Sequence, residues 1–242
     1  MIMNLRRLLL VPLALFISQW LTASDFDISG SIETVSAYLW RGDYVCGAHA
    51  YPQVSAKWGR VTFQPFAFLA FDSSYKEVDV DLCYSAGPFS FHVADYFARY
   101  ASYTEKENYF NFKKGTTNHI QEAIICYEPT TLPFSLRWFT FVHGDWMPQS
   151  DGSLGRPTFS SFFEAEVYRK LSSGGQVALI CGSSIGKGMY TSYTKDFAVV
   201  HMEFSYSRRI ILGKLTLPVG ISYVTNPYSG KTWMKCSLGV EF

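Results

Sequence analysis

The chain has 242 residues, of which 48% are hydrophobic and 17% charged, with a formal net charge of +1. These values exclude a disordered chain, which combines low hydrophobicity with high net charge, and a polybasic nucleic-acid binder, so no nucleic-acid partner is expected. Ordinary Gly (18) and Pro (10) exclude collagen-like and linker classes and leave the aromatic content, 17%, as the unusual number.

Residues 1–23 read as a secretory signal peptide. Arg6 and Arg7 make a positive start, Leu8 to Leu21 an apolar run, and Thr22, Ala23 and Ser24 supply small residues for a cut after Ala23. The run is short for a membrane span, which needs about 20 residues. Its removal with Arg6 and Arg7 takes the charge from +1 to −1. Residues 24–242 are then one exported domain. Five scattered cysteines, Cys46, Cys83, Cys126, Cys181 and Cys236, form neither a disulfide framework nor a zinc-ligand spacing, so no metal or cofactor is expected.

From there on, the pattern has period two. Val78, Val80, Leu82 and Tyr84 alternate with Asp79, Asp81, Cys83 and Ser85; Phe163, Ala165 and Val167 alternate with Glu164, Glu166 and Tyr168. Near the end, Met234, Cys236, Leu238, Val240 and Phe242 alternate with Lys235, Ser237, Gly239 and Glu241. Successive strand side chains point to opposite faces, so these are strands with one apolar and one polar face. About twelve such runs are expected, at 26–41, 49–58, 61–72, 77–86, 88–98, 118–128, 133–145, 160–171, 175–186, 197–208, 214–225 and 232–242. The first loses its period near Thr34 and Val35, where a bulge is expected.

The joins sort by length. Gly59-Arg60, Gly87, 129–132, 172–174 and 209–213 are tight, whereas 42–48, 99–117, 146–159, 187–196 and 226–231 are longer and only 73–76 on that side is short. Tight turns at one end and long loops at the other are the pattern of membrane barrels, and an even strand count puts both termini at the tight end. Trp40, Trp58, Trp138, Trp146, Tyr168, Tyr206, Tyr223, Trp233 and Phe242 sit near strand ends, as an interfacial aromatic girdle requires. The expected fold is thus all-β: a closed antiparallel transmembrane barrel, whose closure satisfies every backbone group in lipid. Outer-membrane lipid is then its surround. The last strand, ending in Phe242, resembles the signal by which barrel insertion machinery recognises its clients.

Val35-Ser36-Ala37-Tyr38-Leu39-Trp40-Arg41-Gly42 resembles the opening motif of the TorF-like family of outer-membrane porins of Gram-negative bacteria. The resemblance continues through Pro52-Gln53, where the order is reversed relative to the family, the acidic strand Glu77 to Leu82, and Asp95-Tyr96. It implies an outer-membrane barrel with Trp40, Arg41 and Gly42 as the family motif, and leaves the solute open.

With apolar rows toward lipid, Lys57, Asp79, Asp81, Glu122, Arg137, Glu164, Glu166, Lys170, Glu203 and Lys235 are the candidate lumen-lining residues, and Phe66 and Phe68 narrow the bore. A Lys or Arg on the lipid side would cost about 2–4 kcal/mol at mid-membrane, which favours the inward assignment. Asp95 is in phase with the apolar Phe91 and Val93 and is left unassigned. The leading function is a porin-like passive channel for small solutes with a weak preference for cations. Alternatively, the charges pair and plug the lumen, leaving a structural barrel or a surface receptor that acts through loops such as 99–117, with Tyr100, Tyr103, Tyr109, Phe110 and Phe112 among Lys106, Lys113 and Lys114. A further alternative is an outer-membrane lipid hydrolase built on His143 near Asp145, but no Ser at a matching motif accompanies them, so no catalytic residue is expected. Leu82, Leu217, Leu238 and Val240 are expected on the exposed outer face.

Overall fold

A computed structural model describes residues 26–102 and 108–242; the expected signal peptide lies outside them. Twelve strands close into one antiparallel barrel. In chain order they are β1 (Phe26–Val35), β4 (His49–Trp58), β5 (Val61–Ala70), β6 (Tyr75–Ala86), β7 (Phe89–Tyr100), β8 (His119–Tyr127), β9 (Phe134–His143), β12 (Ser161–Lys170), β13 (Gly175–Ile185), β14 (Phe197–Leu212), β15 (Leu215–Asn226) and β16 (Lys231–Glu241). Two small hairpins interrupt the series at the long-loop end: β2 (Tyr38–Trp40) with β3 (Asp43–Cys46), and β10 (Trp146–Pro148) with β11 (Leu154–Pro157).

The sheet shuts where β1 pairs with β16, Ile32 opposite Val240 and Val35 opposite Ser237. Gly30 and Phe242 exchange both backbone hydrogen bonds at 2.9 Å, which extends the seam to the last residue. Gly30 has no side chain, and the Phe242 ring lies where its Cβ would be. With the seam closed, no barrel strand is left with a free edge.

The two faces are opposite to those of a water-soluble barrel. Leu82 (50% exposed), Leu179 (57%) and Leu238 (56%) stand on the outer rows, with Val78, Val93, Phe204 and Met234 also exposed. Val240 is exposed too, while Leu217, opposite Ile210, is only half-buried. The inner rows carry the acids and bases.

The first strand differs from expectation. β1 pairs continuously with both neighbours and holds no bulge. Its lost period marks the place where the chain leaves the wall: after Val35 it turns, Ser36 donates its N–H to the Cys236 carbonyl, and the β2–β3 hairpin folds into the barrel. Trp40 opposes Asp43 across the two-residue turn Arg41-Gly42, with φ of 49° and 85°. Both central residues at positive φ make the turn of type I′, which suits the twist of a hairpin. The tip presses on β14, where a Cβ on Gly42 would lie 1.9 Å from the Val200 carbonyl oxygen. β14 bulges there, since His201 opposes Gly182 but Val199 opposes Ser183, leaving Val200 as the extra residue.

Further corrections follow from the register. Trp40 lies inside with the hairpin, and Tyr168 and Trp233 alternate inward with Glu166 and Lys235, so they form no part of an outer girdle. Trp146 belongs to the β10–β11 hairpin, whereas Trp58, Trp138 and Tyr223 are exposed on the outer rows. The join between β15 and β16 is as short as the one between β5 and β6, so loop sorting is less strict than expected. The described part of the longest loop, 108–118, leans on the outer wall: Tyr109 packs on Phe97 and Phe112 stacks on His119, ring centres 4.1 Å apart.

Gly42→Ala should unseat the hairpin. A non-Gly residue in the left-handed region costs about 1–2 kcal/mol, and the backbone contact at Val200 adds to it. Limited trypsin digestion checks this: the wild type resists cleavage after the buried Arg41, and the variant is cut there.

Candidate functional site

The hairpin tip carries the most heavily bonded ion pair inside the barrel. Arg41 Nη1 and Nη2 donate to Glu122 Oε1 and Oε2 at 2.7 and 2.6 Å, a bidentate fork in which the Glu122 side chain is fully buried. Tyr96 donates its hydroxyl to Glu122 Oε2 at 2.8 Å, and Arg41 Nη1 also donates to the Tyr190 hydroxyl oxygen. The guanidinium lies 4.1 Å from the centre of the Phe139 ring and 4.9 Å from that of Trp40. Phe141, Phe162, Tyr190 and Val200 form the buried apolar cluster around it. Desolvation of two ions is costly, and the fork, the Tyr96 bond and the ring faces offset it. Burial holds the Tyr190 and Tyr193 phenols well above their ordinary range, with Asp145 adding to the effect at Tyr193, so both remain neutral.

The other candidate charges lie along the wall. Arg137 on β9 bonds Glu164 at 2.7 Å and Glu166 at 3.0 Å on neighbouring β12. Glu203 on β14 meets Lys235 at 3.5 Å and His201 at 3.4 Å. Asp81 bonds His92 Nδ1 at 2.8 Å. Lys170 lines a cavity of about 530 Å3 at the tight-turn end, with Glu33, Arg209 and Glu241, and Lys57 sits opposite Asp27 at the same end. Asp79 is 1% exposed, and neither of its oxygens has a partner. Phe66 and Phe68 stand in the inner row beside it, opposite Asp79 and Glu77. The wall pairs join neighbouring or near-neighbouring strands; the hairpin, not a bridge of charge across the bore, fills the space.

The structure leaves His143 and Asp145 apart. Asp145 is taken by Thr158, the Ser160 N–H and Tyr193, while His143 lies edge-on to Trp146 with Nε2 unpartnered. Asp95, left unassigned by its sequence pattern, points outward. Its Oδ2 lies 2.8 Å from His119 Nδ1, and His119 Nε2 donates to the Tyr109 carbonyl.

A second histidine array escaped the sequence reading because its members come from three strands. Ser90 Oγ lies 2.9 Å from His92 Nε2, Asp81 holds Nδ1, and the Cys126 Sγ is 3.9 Å from Nε2. This is the order of nucleophile, base and orienting carboxylate. It lacks an oxyanion donor: the strand N–H groups belong to the ladder, and Arg137 is held by its two glutamates. Ser90, His92, Asp81 and Cys126 thus lie together on the inner rows of β6, β7 and β8. Among the described residues, no group of three or more His, Cys, Asp or Glu is placed to hold a metal.

Neither a known family model nor a curated protein matches the sequence, so the TorF-like resemblance rests on its motif residues. Solved structures with related architecture include the KdgM porin, at 9% identity and a TM-score of 0.49, covering 88% of this chain and 98% of that one. An outer membrane channel from Pseudomonas putida F1 gives 11% and 0.46 over 92% and 97%. The translocator domain of the autotransporter NalP from Neisseria meningitidis gives 11% and 0.40 over 98% and 95%.

Arg41→Ala leaves Glu122 buried without its cation and should cost about 3–5 kcal/mol. Urea unfolding in detergent micelles checks the value; Arg41→Met with Glu122→Leu, which removes both charges together, should restore most of it.

Proposed function

We propose that the protein is an outer-membrane barrel that passes small solutes passively, with the β2–β3 hairpin setting the width of the path. The observation that carries this reading is the division of faces: apolar side chains exposed on the outer rows, and acids and bases on the inner rows of the same strands. Acyl chains are the surround that such an outer face suits, and an inner face of charges suits water and ions. Of the ten candidate lumen residues, six are acids and four are bases, which favours cations. The TorF-like motif acquires a physical role on this reading: Trp40 packs the hairpin, Arg41 locks it and Gly42 lets it approach β14. Outer-membrane lipid would cover the outer rows, and insertion machinery would meet the barrel at the strand ending in Phe242.

The cavities at the two ends share no lining residue. Between them lie Asp79, Glu122 and Phe162, all almost fully buried. A narrow path is therefore expected with the hairpin seated. In planar bilayers, the wild type should give a small, cation-preferring conductance. A variant with 37–47 replaced by a short Gly/Ser turn should conduct several-fold more. Failure of both to conduct above background would remove the channel reading.

A further inference from the structure

One of two cavities at the long-loop end, the neighbour of the one lined by Lys76 and Arg99, is walled by aromatic rings. Its volume is about 320 Å3, and Tyr38, Trp40, Tyr75, Tyr96 and Phe141 line it together with one carboxylate, Glu77. Among the described residues no Lys or Arg lines it. Arg41 lies against the Trp40 ring and is held by Glu122. Lys76 and Arg99 alternate onto the outer face of β6 and β7.

Glu77 is presented as an acceptor. The Tyr75 hydroxyl donates to Oε2 at 2.7 Å, and the Tyr38 hydroxyl reaches the same carboxylate. One step down the inner row, between Phe66 and Tyr96 in register, lies Asp79 with both oxygens buried and unpartnered. A carboxyl buried without a partner is unfavourable as an anion, and a nearby cation favours its ionised form. Ring faces carry negative charge density and attract cations, most strongly where water is excluded. Hard metal ions take oxygen ligands in number rather than ring faces. An anion would meet Glu77 with no Lys or Arg in the lining to compensate it.

We infer that this cavity binds a small organic ammonium ion, held by the aromatic rings with Glu77 as its counter-charge and Asp79 one step below it. The inference names a solute class for the proposed channel and rests on that reading only for passage through the barrel; binding itself requires no conduction.

Calorimetric titration of the full chain in detergent micelles tests it, with choline as the probe and 3,3-dimethylbutan-1-ol as its uncharged isostere. Choline should bind, and the alcohol should bind at least about tenfold more weakly. Glu77→Gln, checked for folding by its heat-modifiable gel migration, should weaken choline by about tenfold as well. Absence of choline binding, equal binding of the alcohol, or unchanged choline affinity in folded Glu77→Gln would overturn the inference. Should that variant fail to fold, the comparison of the two probes on the wild type decides. Choline binding by a protein that conducts no current would support the site and remove the channel; current without choline binding would remove the site alone.

Discussion

Closure of the sheet is the constraint from which the rest follows. Each barrel strand pairs on both sides, and the β1–β16 seam continues to Gly30 and Phe242. Once the backbone is satisfied within the sheet, the only remaining choice is which row of side chains faces in. In water the hydrophobic effect would send the apolar rows inward. Here Leu82, Leu179 and Leu238 face out, while Asp81, Glu164 and Glu203 face in. The lipid surround proposed for the barrel rests on that inversion.

An inner surface of this kind cannot collapse into an ordinary apolar core, so its order comes from polar pairing and from the hairpin. The wall pairs hold strands to their neighbours. The hairpin brings Arg41 to Glu122 across 81 residues of sequence and to Tyr190 across 149. Trp40 of the hairpin packs against the buried cluster that Phe141, Phe162 and Val200 of the wall form with Tyr190. The same insertion creates the ring-lined cavity above it, so plug and cavity are one structural event.

The strands were legible in the sequence because period two is a local signal: all twelve wall strands fall within or across the expected spans. Phase also places Asp95 on the outer face with Phe91 and Val93. The hairpin was not legible as an inward element, because Tyr38-Leu39-Trp40 continues the apolar run and its partners lie on distant strands. The signal that could have found it is the Arg41-Gly42 pair: a charge and a glycine in an apolar stretch suit a two-residue turn better than a wall. Single aromatic residues misled for a related reason. Tyr168 and Trp233 sit near strand ends, but their phase, not their position, decides their side.

Two native cysteines allow the central claim to be measured directly. Cys181 and Cys236 are exposed on outer rows of β13 and β16. Spin labels on them, in the protein reconstituted into liposomes, report whether they meet acyl chains or water. The account requires efficient relaxation by dissolved oxygen and protection from a water-soluble nickel chelate at both positions. Ready access of the nickel chelate to both labels would show the outer rows to be wet and would contradict it.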